Sequence, residues 1–298
     1  LNTADASALY ISRAHALGGP PLGATHAVRE LVEALDGLPL AVELAAGRAL
    51  VLSPSDMLSR LDRPLGLLRR GERSMRAAID LSWELLEEPQ REVLMALSVF
   101  RGGASRPSLE AVLDKPDDDD DVGRLQAHSL IVPGARPRLL EAVRAYAEEK
   151  REAAPDGDRF VHAHRRHFAE LARTLEPGAH TGGWARETLR TELDNLLASQ
   201  AASVVLEPND ALAVIMAVRQ PMSDWGGGRA LIRRMDCLEA TLTDPNQRAL
   251  LVAVRADLLH RVGETGRASE DGRTANGLLT AEAPARTRAF VQIMHANT

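Results

Sequence analysis

Apolar residues recur along most of the chain at the three- and four-residue spacing of helices. Val28, Leu31, Val32 and Leu35 form one such stripe, which predicts a helix over 25–35. Asp5 is a candidate cap for an earlier helix carrying Leu9, Tyr10, Ile11 and Leu17, closed by Gly18-Gly19-Pro20-Pro21. Gly37-Leu38-Pro39 interrupts the pattern, and Pro39 suits the first turn of a helix over 40–50, where its missing N–H costs nothing. Ser53-Pro54 opens a short helix ending near Leu61, and 64–73 reads as a connection. Helices are then predicted over 75–86, 88–97, 107–113 and 122–128. Leu130-Ile131-Val132 and Arg138-Leu139-Leu140 flank Pro133 to Pro137 and read as a small β-hairpin, with a closing helix over 142–151. Beyond Pro155-Asp156-Gly157 the pattern is helical throughout: 159–175, 184–205, 209–218, 228–242, 247–262, 265–279 and from Pro284 onward.

The expected fold class is therefore mainly α, in three parts. Residues 1–70 form a helical subdomain, 71–152 a winged-helix domain with its hairpin, and 153–298 an array of helical hairpins. Composition supports the helical reading. The chain is 45% hydrophobic but only 3% aromatic, so Ala, Leu and Val must build the core. Of 36 basic residues only Lys115 and Lys150 are lysines. A net charge of −6 argues against non-specific coating of nucleic acid. The single Cys237 excludes an intramolecular disulfide and any multi-cysteine metal site. No apolar run approaches a membrane span, and the start, Leu1-Asn2-Thr3-Ala4-Asp5, is unlike a signal peptide. A cytoplasmic protein without membrane partners is expected. Beginning at Leu1 rather than Met, the chain reads as a piece of something longer.

Several segments, in order, resemble one family. The stretch from Leu35 to Ala46, with Gly37-Leu38-Pro39, resembles the GLPLA segment of STAND-class regulatory ATPases, in their NB-ARC-type switch module. Met75 to Leu86, Leu97 to Gly103 and Leu139 to Ala147 are similar to that family's winged-helix domain. Glu192-Leu193-Asp194-Asn195-Leu196 is similar to a stretch preceding its tetratricopeptide-like sensor. The resemblance implies a nucleotide-dependent switch, of the bacterial transcriptional-regulator type. Pro39 would contact the adenine of ADP or ATP in the full-length parent, Gly37 would permit the turn, and Leu38 would line the base pocket. The competing reading is that Gly-x-Pro merely separates two helices.

The chain departs from the family in three places. Where many relatives carry Met-His-Asp, it has Leu139, Leu140 and Glu141. Where Asp-Lys-Ser-Leu is common, it has Ala127-His128-Ser129-Leu130; His128 is read as a helix-end histidine in preference to a phosphate contact. Neither lysine follows a phosphate loop of the G-x-x-x-x-G-K-[ST] type, and Gly226-Gly227-Gly228 is a turn. The chain alone is not expected to be an enzyme. Its partners would be an N-terminal P-loop ATPase domain of the same protein and an unknown protein or small effector at the helical array.

Other chemistry finds less support. His162 and His164 point about 200° apart on a helix, and His164 with His167 lack a carboxylate or thiolate partner, so polar helix surface is expected and no metal. Asp117 to Asp121 lacks the alternation and glycine of a calcium loop and reads as a solvated loop. Beside a would-be recognition helix offering only Arg124 and His128, it disfavours DNA binding. Trp83, Trp184 and Trp225 are expected as core anchors, and Cys237 as buried and inert. No catalytic residue is assigned. The alternatives to the switch are a free-standing protein-binding scaffold and, less favoured, a winged-helix DNA binder.

Overall fold

The computed structural model describes residues 1–19, 23–61, 70–116, 119–179 and 183–297. Among these the chain is all-α, with seventeen α-helices, one 3₁₀ turn at Glu176–Gly178 and no strand. It divides into two compact units, one of residues 1–99 with 103–160, the other of 100–102 with 161–298.

The first unit begins with α1 (Thr3–Ala16), capped by the Asn2 side chain, which accepts from the Asp5 amide, so Asp5 sits inside the first turn. Helix α2 (His26–Ala34) is capped by Thr25 and buries Val28, Leu31 and Val32, as its stripe predicts. Helix α3 (Pro39–Ala46) starts with proline but stops short of Leu50, which is 57% exposed. Helices α4 (Pro54–Leu61) and α5 (Arg70–Glu84) follow. The expected connection over 64–73 lies outside the described residues as far as 69, and its last four residues are helical. Helix α1 packs on α2 and α3, α2 on α4, and α5 on α3 and α4.

Helix α6 (Glu88–Ser98) then serves as the hub of α7 (Arg106–Leu113), α8 (Asp119–Ala127) and α9 (Glu141–Ala153), with α9 also meeting α5. At the start of α6 the Glu87 amide donates to Gln90 Oε1 at 3.1 Å, which satisfies a free helix-end donor. Of the expected acidic loop, Asp117 and Asp118 lie outside the described residues, while Asp119 to Asp121 open α8. Acidic residues suit a first turn, because they face the positive end of the helix dipole.

The expected hairpin reduces to one antiparallel bridge between Val132 and Arg138. Proline is the reason it stops there. Pro133 and Pro137 cannot donate to a ladder. The Pro137 carbonyl accepts from the Ala104 amide at 3.0 Å, and Leu140 already caps α9.

In the second unit, the long helix expected over 184–205 is broken into α11 (Gly183–Thr191) and α12 (Leu193–Ser203) at Glu192. With most of α10 (Asp158–Leu175), these precede α13 (Pro208–Asp224), α14 (Gly228–Glu239), α15 (Pro245–Arg261), α16 (Thr265–Leu278) and α17 (Ala285–Asn297). Pro221 lies inside α13 without ending it. Helices α13, α15 and α17 pack side by side, while α14 bridges α13 and α15, and α16 bridges α15 and α17. Ala249, Val252, Ala253, Ala275 and Val291 form an apolar cluster in the last part of this stack.

Candidate functional site: the Gly37-Leu38-Pro39 turn

The turn is built from the end of α2. The Gly37 amide donates to the Val32 carbonyl at 2.9 Å and the Asp36 amide to the Glu33 carbonyl at 3.0 Å, which satisfies carbonyls left over by the helix end. Asp36 and Gly37 both adopt left-handed backbone, at φ 53° and 59°. Glycine is required at the second position. A Cβ there would lie 2.5 Å from the Leu1 carbonyl oxygen, and the φ itself disfavours side chains. The left-handed Asp36 is braced from α5, where the Ser74 hydroxyl donates to Asp36 Oδ2 at 2.6 Å.

The three residues share one turn but face differently. Gly37 is buried, Leu38 is half-buried and Pro39 is exposed at the first position of α3. Leu38 looks into a cavity of about 550 Å³ between the start of α3 and helices α5 and α9, together with Met75, Ile79, Arg76, Tyr146 and Glu149. Pro39 stands outside that lining. One wall of the cavity is polar and rigid. Arg76 grips Glu149 with two bonds of 2.7 Å, and its guanidinium lies 5.4 Å from the Tyr146 ring centre. The Arg76 bond holds the Glu149 carboxyl below its ordinary pKa. The Tyr146 hydroxyl donates to Asp80 at 2.6 Å, and burial together with that carboxylate pushes its pKa up.

The Ala127-His128-Ser129-Leu130 segment is used within this unit. His128 Nδ1 lies 3.2 Å from the Gly47 carbonyl at the end of α3, and Arg13 on α1 donates to the Ser129 hydroxyl at 3.0 Å. Burial, with the Arg48 charge nearby, holds the His128 pKa below its ordinary value. Arg48 itself is 1% exposed and donates to the Ser82 hydroxyl at 3.2 Å, and burial lowers its pKa to about 10. Its side chain wedges between the end of α3 and α5. Sequence reasoning missed it, since an arginine after a helix end ordinarily reads as solvated.

The Glu192 to Leu196 stretch has a structural task in the second unit. The fully buried Asn195 accepts from the Arg101 and Gly102 amides, at 2.9 and 3.2 Å, and donates to Glu192 at 2.9 Å. Two segments singled out separately by sequence are thus bonded to each other.

Three expectations about side chains are corrected. His164 is not polar surface. It is 3% exposed, packed edge-on to Phe100 at 5.0 Å and beside Phe168 at 4.5 Å, and burial pushes its pKa down to about 3. Trp184 is not a core anchor but 69% exposed; Trp225 is 37% exposed under the Arg186 guanidinium, and Trp83 is half-buried. Cys237 is exposed. The apolar stripe of α14 runs through Leu231, Met235 and Leu238, which turns Cys237 outward. Among the described residues no group of three or more potential ligands is placed to hold a metal, and no helix is long and apolar enough to cross a membrane.

Comparison with known proteins places the chain beside regulators. It is 34% identical over 257 residues to a Mycobacterium tuberculosis protein named as a candidate HTH-type transcriptional regulator, and equally to a Mycobacterium bovis protein of the same description. The match covers 78% of the chain and 28% of each relative, so the chain spans little more than a quarter of these proteins. An uncharacterized Mycobacterium tuberculosis protein is 30% identical over 198 residues, covering 59% of the chain and 50% of that protein. No family profile matches the chain, and no solved structure does.

Proposed function

We propose that the chain is the regulatory portion of a nucleotide-dependent transcriptional regulator of the STAND type. In this reading residues 1–70 are the lid over a nucleotide, residues 71–152 are a winged helix with a reduced wing, and residues 153–298 are a tetratricopeptide-like sensing array. The phosphate-binding ATPase domain would lie elsewhere in the same protein, and this portion alone would hydrolyse nothing. The similarity to HTH-type regulators supports the regulatory role. DNA binding would belong to another part of the protein, because the acidic run Asp117 to Asp121 directly precedes the would-be recognition helix over 122–128, and its charge repels phosphates.

One observation carries the nucleotide reading. A left-handed, braced turn presents the Pro39 ring to solvent at a helix N-terminus, an apolar surface for a purine base beside a positive dipole. The residues here fit the base end of ADP or ATP; the phosphates would be held by a loop of the G-x-x-x-x-G-K-[ST] type, a motif this sequence does not contain.

The test is nucleotide titration of the full-length protein and its Pro39→Ala variant. ADP affinity is expected to fall about tenfold, the scale of one lost apolar contact in a formed site. Unchanged affinity would remove Pro39 from the nucleotide site, and ATP turnover by residues 1–298 alone would overturn the division of labour.

A further inference from the structure

The second unit holds a cavity of about 370 Å³ on the face made by the adjacent helices α13, α15 and α17, closed at one end by α10 and the 3₁₀ turn. That volume lies in the usual range of small-molecule sites, about 300–1,000 Å³. Its floor is apolar. Ala213 and Met216 of α13, Leu250 of α15 and Phe290 of α17 meet there, all half-buried. Its charged lining is Arg173, Arg219, Arg286 and Glu176, and Arg173 is already paired with Glu170 and Asp210.

The arrangement around Glu176 shows what the cavity accepts. One carboxylate oxygen lies 3.4 Å from Arg219 Nη1 and the other 2.9 Å from Arg286 Nη2, so a single carboxylate bridges two guanidinium groups. A guanidinium has five donors in a planar fork; Arg219 also spends one on the Met216 carbonyl, while the exposed Arg286 can turn its fork to a second carboxylate. Arg219 is held in place, with its side chain 12% exposed and its guanidinium 5.4 Å from the Phe290 ring centre. Arg286 is 81% exposed, and an ion pair so solvated binds it weakly, leaving it able to swing onto a ligand. A cationic guest would face Arg219 and Arg286, and a neutral one would leave the exposed donors of Arg286 to water. An anion with an apolar body satisfies both walls.

We infer that this cavity is an effector site for a small amphipathic carboxylate, its acid group received by Arg219 and Arg286 and its aromatic or aliphatic body laid on Met216, Leu250 and Phe290. The inference rests on the reading of residues 153–298 as the sensing part and gives that part a ligand class.

Calorimetric titration of residues 1–298 with 3-phenylpropionate, 4-phenylbutyrate and 2-naphthylacetate tests it, with the matching primary alcohols as controls. At least one acid is expected to bind saturably with a Kd of about 1 mM or tighter. Its alcohol binds about tenfold more weakly, as does the acid to the Arg286→Glu variant, whose helical signal and Tm are measured alongside to show that it folds. The inference is overturned if no acid saturates below about 10 mM, if the alcohols bind as well as the acids, or if Arg286→Glu binds them equally. The switch reading fails separately: a bound acid that leaves nucleotide affinity of the full-length protein unchanged removes the coupling and keeps the site.

Discussion

The Asn195 carboxamide oxygen accepts from the Arg101 amide at 2.9 Å across 94 residues of chain, and takes the Gly102 amide as well. A buried asparagine thus accepts from two backbone donors in the turn after α6. Asn195→Ala removes that acceptor from both and is expected to cost about 1–3 kcal/mol, at about 0.5–1.5 kcal/mol for each hydrogen bond lost. Urea denaturation of the variant and the parent checks this; a loss below about 0.5 kcal/mol, the scale of a surface change, would show that the bonds are dispensable.

The Gly37-Leu38-Pro39 turn sets a buried glycine two residues from an exposed proline. Gly37→Ala forces a Cβ against the Leu1 carbonyl in left-handed backbone, and is expected to cost about 1–3 kcal/mol. Pro39→Ala removes an exposed ring at a helix start and is expected to change stability by no more than about 0.5–1 kcal/mol. Thermal unfolding of the two variants side by side distinguishes them.

Acid is expected to weaken the unit that contains His164. The His164 pKa is about 3 in the folded chain against an ordinary 6.5, because the cation would sit among Phe100 and Phe168. Below pH 6.5 the unfolded chain takes up a proton that the folded chain refuses until pH 3, so stability falls as pH falls through that window. By pH 5 the loss from this group is roughly 2 kcal/mol, at 1.36 kcal/mol per pH unit. His164→Leu should flatten the decline in urea midpoint between pH 7.5 and pH 5; an equal decline in both proteins would place the acid sensitivity elsewhere.

Element positions were legible in the sequence wherever a cap or a stripe acts within one turn. The apolar stripe of α2 and Pro39 starting α3 are examples. The hairpin was misread because Leu130 to Val132 and Arg138 to Leu140 have strand composition, while pairing depends on which prolines fall in the ladder and where Leu140 is drawn as a cap. His164 of α10 was misread for a related reason. Polar spacing marks a solvated face only if nothing packs there, and Phe100, distant in sequence, covers His164.

By itself, then, the amino-acid order determined a mainly helical chain and a glycine-proline turn, because helix ends and left-handed backbone answer to residues a few positions apart. Tertiary structure alone decided that Arg48 and His164 are buried, that Trp184 and Cys237 face solvent, and that Arg219 and Arg286 converge on Glu176. Those outcomes depend on which helices come to lie against one another, and that is settled by the summed burial of many distant apolar side chains.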